Sequence, residues 1–261
     1  MEFPNAQQRI SSMPDIFEPR LDKIAINQHG RDFAVGDIHG CFNALRRALD
    51  HIRFDPTVDR LFARGDLVDR GPESQDVTTW LDYPWFHAIC GNHEQMIWRS
   101  VLNRPYPGVN HLDHGGAWFC WLDVAERERI ASRLMALPII VEIETPAGAV
   151  GLIHADCPCD DWSGIRAADW RRAGEDHWMV NCCLWSIDRY QRRYAGPVRN
   201  IRAVVHGHMT VRDVEVLGNV YYIDTGGWKT TGGRFSFLNL HTLQWMHGPG
   251  AHIVAIPRRD R

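Results

Sequence analysis

Residues 32–40 read DFAVGDIHG and residues 60–71 read RLFARGDLVDRG, and the two stretches share one plan. In each, a short apolar run ends on a glycine followed by an aspartate, Gly36-Asp37 and Gly65-Asp66. A third copy runs from Phe86 to Gly91 and ends on Asn92-His93. Apolar runs this short and continuous read as strands buried on both faces. Helix-like stretches follow at Cys41 to His51, Glu73 to Leu81 and Glu94 to Asn103. Buried strands alternating with helices mark an α/β sheet, in which the loops leaving the carboxyl ends of the strands gather at one crevice. Asp37, His39, Asp66, Asn92 and His93 are therefore expected side by side.

The second half of the chain continues the pattern. Pro138 to Glu144 and Ala149 to Ile153 are β-rich and flank the turn sequence TPAG, so they read as a hairpin whose second strand delivers His154 in LIHAD. Ala203 to Val205 reads as a strand delivering His206 and His208 in HGHM. Val214 to Leu217, turned by Gly218-Asn219 into Val220 to Ile223, is a second hairpin, and Phe235 to Leu240 with Gln244 to His247 complete a β-rich end. Helical patterns cluster between residues 111 and 136. The expected fold class is α/β, with two mixed β-sheets packed face to face, flanked by helices, and the polar motifs at one edge.

Taken singly, each motif has an ordinary reading, Asp as a turn former or helix cap and His as a hydrogen-bonded ring. Their order and shared strand-to-turn context argue for one site. Carboxylate, carboxamide and imidazole groups suit divalent metals such as Mn²⁺, Fe²⁺ and Zn²⁺, and a carboxylate can bridge two of them. A dinuclear centre is the natural reading.

With GDIHG, GDLVDRG, GNHEQM, GGAWF, HAD, HGHM and YIDTG in hand, the chain resembles the metal-dependent phosphoprotein phosphatases of the calcineurin-like metallophosphoesterase superfamily, in their compact bacterial and phage branch. The resemblance runs from about Arg31 to about Asn239. It implies one metal held by Asp37, His39 and Asp66 and a second by Asp66, Asn92, His154 and His208, with Mn²⁺ the expected metal in vitro and iron or zinc the alternatives. It implies hydrolysis of phosphoserine and phosphothreonine monoesters by a metal-bound hydroxide. His93 would be the general acid, Asp69 would raise its pKa, and Arg70 would grip the substrate phosphate. One departure stands out. Relatives carry a second phosphate-clamping Arg where this chain has Ile187, in Leu184-Trp185-Ser186-Ile187. Arg189 is the candidate substitute if the stretch is extended, whereas in a helix two residues turn it away by roughly 200°. The alternatives are a dinucleoside tetraphosphate hydrolase, whose enzymes tend to lack Asp69 and to read GNHD, and a phosphoprotein-binding module without turnover.

Length and composition add boundaries. The 261 residues carry a formal net charge of −3 and suit one domain, residues 30–261, preceded by an N-terminal extension, 1–29, that is polar and interrupted by Pro4, Pro14 and Pro19. No run of about 18 apolar residues and no leader pattern is seen, so a cytoplasmic protein without a membrane partner is expected. Seven scattered cysteines fit reduced thiols. Cys157, Cys159, Cys182 and Cys183 lack the spacing of a zinc site. Arg189, Arg192, Arg193, Arg199 and Arg202 form a basic run that would face solvent or an acidic phosphopeptide, with no stronger nucleic-acid signal. The expected partner is a phosphoprotein or phosphopeptide substrate, and the motifs carry no information on oligomeric state. His206 reads as a neighbour of the site or as a structural residue. His29, His51, His87, His111, His114 and His177 have no motif context and read as ordinary.

Overall fold

A computed structural model describes residues 17–251. In chain order the elements begin with β1 (Leu21–Ile24), β2 (Asp32–Val35), α1 (Phe42–His51), β3 (Arg60–Ala63), α2 (Val77–Leu81), β4 (Phe86–Ala88) and α3 (Asn92–Val101). Next come α4 (Ala117–Cys120), α5 (Val124–Met135), β5 (Ile140–Ile143), β6 (Val150–Ile153), α6 (Trp162–Ala167), α7 (Trp178–Trp185) and α8 (Asp188–Gln191). The chain then runs through β7 (Ala203–His206), β8 (Glu215–Leu217), β9 (Val220–Tyr222), β10 (Arg234–Asn239) and β11 (Trp245–Pro249).

The strands form two mixed sheets. One has the order β11-β10-β2-β3-β4 and the other β1-β5-β6-β7-β9-β8. β2, β3 and β4 are mutually parallel, with Val35 beside Ala63 and Ala63 beside Ala88. β6, β7 and β9 are likewise parallel, and both expected hairpins pair antiparallel, β5 with β6 and β8 with β9.

The period-two alternation of side chains divides each strand between two cores. Ala34, Phe62 and Leu238 of one sheet meet Val141, Ile143, Val150, Leu152 and Val205 of the other, all buried. Their neighbours Phe33, Val35, Leu61, Ala63 and Phe237 lie in the larger core with the helices. α1 illustrates the fit: Leu45, Ala48 and Leu49 with Phe42 fall on one helical face, and that face is the buried one. Each Leu, Val or Phe removed from water in this way contributes roughly 1.5–3 kcal/mol. Both faces of β2 and β3 are covered, which is why residues 33–35 and 61–63 are apolar without interruption.

Two boundaries differ from the sequence reading. The segment assigned to an extension supplies β1, which pairs parallel to β5, and Phe17, which is buried and stacked on Trp98 with ring centroids 4.8 Å apart. The two-sheet unit therefore begins well before residue 30; residues 1–16 lie outside those described. The stretch from Glu73 is also tighter than a single helix, with a 3₁₀ turn at Ser74–Asp76 leading into α2.

Candidate metal centre and active site

Each motif residue leaves a strand end. β2 leads to Asp37 and His39, β3 to Asp66, Asp69 and Arg70, β4 to Asn92 and His93 at the start of α3, β6 to His154, and β7 to His206 and His208. The backbone bends sharply to present them: φ is positive at His39 (45°), Asp66 (50°), Asp69 (70°), Arg70 (66°) and His208 (59°). Non-glycine residues avoid this region, and such conformations persist where the surrounding structure over-determines them, often at functional sites. Glu94 does much of that work. Its buried carboxylate accepts the backbone N–H groups of Asp66 (2.7 Å), Leu67 (2.8 Å) and Gly91 (2.8 Å), tying the β3 loop to the start of α3.

Asp66 sits between two sets of ligand-type atoms. Oδ1 lies 3.3 Å from His154 Nε2, while Oδ2 lies 3.7 Å from His39 Nε2 and 3.8 Å from His93 Nε2. Asn92 Oδ1 is 2.9 Å from His154 Nε2 and 3.1 Å from His208 Nδ1. Asp37 stands alongside, its Oδ1 accepting the backbone N–H of His208 at 3.1 Å. Two compact groups result, His39 with Asp66 and His93, and Asp66 with His154 and His208, each with ligand atoms within 4.8 Å of one another.

The donor set fits divalent cations. His39 Nδ1 donates to the Val68 carbonyl at 2.9 Å, and His154 Nδ1 to the Arg64 carbonyl at 2.6 Å. The other ring nitrogen of each is thereby left with a lone pair aimed into the cluster, the arrangement by which a carbonyl partner fixes a metal-binding tautomer. Burial, with like charge from neighbouring cations, pushes both imidazoles well below their ordinary pKa, which favours their neutral form. His208 is pushed down to about 4 by burial. Burial likewise drives the carboxyl of Asp66 up to about 7, and burial with the nearby Asp224 and Asp66 charges drives Asp37 well above its ordinary value. Inward-facing lone pairs and crowded carboxylates call for positive charge. The guanidinium of Arg70 answers part of that need, with Nη1 2.7 Å from His39 Nε2.

Beside the cluster, His93 Nδ1 donates to Asp69 Oδ2 at 2.7 Å, and Arg70 Nη2 lies 3.2 Å from His93 Nε2 with its guanidinium 4.6 Å from the Trp228 ring. Asp69 acts on His93 in the expected direction, but burial outweighs it. Burial pushes the imidazole down, Asp69 pushes it up and Arg70 pushes it down again, and the net shift is downward. Two further groups hold Asp69. His111 Nε2 lies 3.0 and 2.9 Å from its two oxygens, and Trp118 Nε1 donates to Oδ1 at 2.7 Å. His111, read above as ordinary, is thus part of the site's frame. The available signal was its position just before Gly115-Gly116-Ala117-Trp118.

With this geometry established, comparison with known proteins gives a family. The calcineurin-like phosphoesterase family matches residues 33–212. The chain belongs to the calcineurin-like phosphoesterase family. Among its relatives is the serine/threonine-protein phosphatase 2 of Escherichia coli (strain K12), 33% identical over 228 residues, a match spanning 85% of this chain and 98% of that protein. A symmetrical bis(5'-nucleosyl)-tetraphosphatase of Methylococcus capsulatus is 33% identical over 145 residues, covering 55% of this chain and 48% of that protein. Among solved structures, a protein serine/threonine phosphatase from Saccharomyces cerevisiae superposes with a TM-score of 0.61 at 18% identity, covering 92% of this chain and 86% of that one. That last likeness concerns the fold.

Within this phosphoesterase fold, the basic residue sought near Ile187 lies elsewhere. α7 ends at Trp185, and Arg189 sits in the short helix α8. Its guanidinium is buried, pairs with Asp160, donates to the Gly196 carbonyl at 2.7 Å and lies over the Tyr194 ring. The structure does not bring it to the cluster of Asp66. His206 is fully buried, with Nδ1 3.1 Å from the Ile153 carbonyl, which makes it part of the wall behind the site. The cysteines are free, and Cys157 and Cys159 point their thiols at the carbonyls of Cys159 and Asp161. Among the described residues, no group able to hold a metal includes a cysteine, and no helix is long and apolar enough to cross a membrane.

Proposed function

We propose that this phosphoesterase is a metal-dependent phosphatase of phosphoserine and phosphothreonine in proteins. The observation that carries the reading is Asp66, whose two oxygens face two separate sets of ligand atoms beside a buried His93–Asp69 pair and the Arg70 guanidinium. The Escherichia coli phosphatase supports the choice of substrate, because the match spans nearly that whole protein, whereas the tetraphosphatase match spans about half of its length.

Asp37, His39 and Asp66 would hold one cation, and Asp66, Asn92, His154 and His208 the other. Two divalent cations so held supply an activated water near neutral pH and clamp the phosphoryl oxygens. Arg70 presents a planar pair of donors to the phosphate. In this structure the same group lies against His39 and His93, so the arriving dianion competes for it. His93, oriented through Nδ1 by Asp69, directs Nε2 toward the cluster, and its imidazolium form, carrying a proton on Nε2, would be placed to protonate the departing oxygen. Mn²⁺ suits the mixed oxygen and nitrogen donors, as do iron and zinc.

The test compares the Mn²⁺-supplemented protein on a phosphoseryl peptide and on diadenosine tetraphosphate, with His93→Asn alongside. Preferential release of phosphate from the peptide, lost in the variant, is the expected result. Preferential cleavage of the dinucleotide would move the assignment to nucleotide turnover, and binding of the peptide without release of phosphate would make the protein a reader of phosphorylated partners.

A further inference from the structure

We infer that His111 and Trp118 are positioning residues for proton transfer: together they fix the rotation of the Asp69 carboxylate so that Oδ2 is held on His93. The inference rests on the reading of His93 as proton donor and explains the GGAWF stretch, which the ligand set leaves unused.

The Asp69 carboxylate is fully buried and each oxygen has an assigned partner. Trp118 Nε1 donates to Oδ1, His93 Nδ1 to Oδ2, and His111 Nε2 spans both. A buried carboxylate facing only His93 would be free to turn about its last bond and exchange its oxygens. Further donors reaching both oxygens remove that freedom and compensate the burial of the charge. Burial alone would raise the Asp69 carboxyl, but the hydrogen bonds from His111 and His93 outweigh it and hold it down to about 2.

The segment carrying these donors is shaped for the purpose. Asn110 caps the 3₁₀ turn His111–His114 by accepting Leu112 N–H at 3.2 Å, and Gly115 ends the turn at φ 92°. The Gly115 carbonyl accepts Arg70 N–H at 3.4 Å, and a Cβ on Gly115 would fall 2.7 Å from that nitrogen. A Cβ on Gly116 would fall 2.3 Å from His111 Nε2 itself. A side chain at Gly115 would collide with the backbone of Arg70, and one at Gly116 would displace the ring that grips Asp69.

The experiment is a leaving-group comparison on the metal-loaded protein, with kcat and KM measured for a phosphoseryl peptide and for 2,4-dinitrophenyl phosphate. The serine alkoxide needs a proton as it departs, whereas dinitrophenolate leaves without one. A defect in proton transfer therefore falls mainly on the first substrate. His111→Leu and the milder Trp118→Phe are expected to lower kcat on the peptide by roughly ten- to hundredfold, part of the 10²–10⁴ that general acid catalysis contributes. The loss on the dinitrophenyl ester should be several times smaller, with KM moving little. In the background of His93→Asn, the His111→Leu change should add little further loss on the peptide, because the residues act as a unit. An equal loss on both esters in His111→Leu and Trp118→Phe, beside an unequal loss in His93→Asn, would overturn the inference alone. Equal losses in all three variants would remove His93 as proton donor and the inference with it.

Discussion

Asp66→Asn tests the bridging role through an orientation the structure fixes in advance. Asp66 Oδ1 accepts the backbone N–H of His93 at 3.1 Å, so the replacement's carbonyl oxygen is expected to stay at that position, 3.3 Å from His154 Nε2. Its NH₂ then takes the place of Oδ2 and turns a donor toward His39 and His93, where Oδ2 lay 3.7 and 3.8 Å from their Nε2 atoms. The two cation sites should respond unequally. On the side of His154 and His208 an oxygen ligand remains. On the side of His39 a full negative charge is replaced by a hydrogen-bond donor. One unit-charge pair at about 4 Å is worth roughly 4 kcal/mol at an effective dielectric near 20, which is roughly a thousandfold in affinity. Titration calorimetry with Mn²⁺ should pass from two sites to one, and phosphate release should fall by roughly 10³-fold or more as the two-metal clamp is lost. Two sites of unaltered affinity together with unaltered turnover would refute the reasoning.

Further outcomes follow from the same geometry. Arg70→Ala, which deletes the donor pair held over Trp228, should raise KM and lower kcat together by roughly ten- to hundredfold, as loss of a hydrogen bond to a charged group implies; steady-state kinetics with metal content measured in parallel should show both cations retained. Arg189→Ala should act on stability, lowering the urea-unfolding free energy by roughly 1–3 kcal/mol through the lost pairing with Asp160 and Gly196, the half-exposed Asp160 keeping the figure modest. KM for the phosphopeptide should change by less than about twofold, since the Arg189 guanidinium is directed to Asp160, the Gly196 carbonyl and the Tyr194 ring rather than to the cluster of Asp66. Glu142 offers a pH test: burial favours its neutral form, but hydrogen bonds from Arg166 and Trp162 and the Arg166 charge prevail, and its folded pKa lies below the ordinary 4.5. A lowered folded pKa gives stability that is complete above the unfolded value and disappears as pH falls through the folded one. The gap in urea midpoint between the wild type and Glu142→Gln should be full near neutrality and close below pH 4.5, and a gap that widens on acidification would contradict the assignment.

The parts of the molecule that sequence patterning made legible are those where one local cause dominates. β2, β3, β6 and β7 are covered on both faces, so their apolar runs are unbroken, and each ends on the polar residue it delivers. The order Asp37, His39, Asp66, Asn92, His154, His208 could be read because each residue sits within a few positions of a strand end. β1 could not, since four residues at a sheet edge are too few to display alternation and its place depends on pairing with distant β5. α7 was hidden for the opposite reason: WMVNCCLW has no polar face, and periodicity has nothing to report. Arg189 depended on whether residues 184–189 were extended or helical, and the break after Trp185 followed by α8 settles where it points. His111 escaped because its partner Asp69 is distant in sequence; such a contact exists only after the turn between α3 and α4 has folded over the Asp69–Arg70 loop.

The central claim is that Asp66 bridges two cations within this cluster. The most direct measurement is anomalous-difference density from crystals grown with Mn²⁺. The account predicts two peaks in contact with Asp66, one also reached by Asp37 and His39 and the other by Asn92, His154 and His208. A single peak, or peaks away from Asp66, would contradict it.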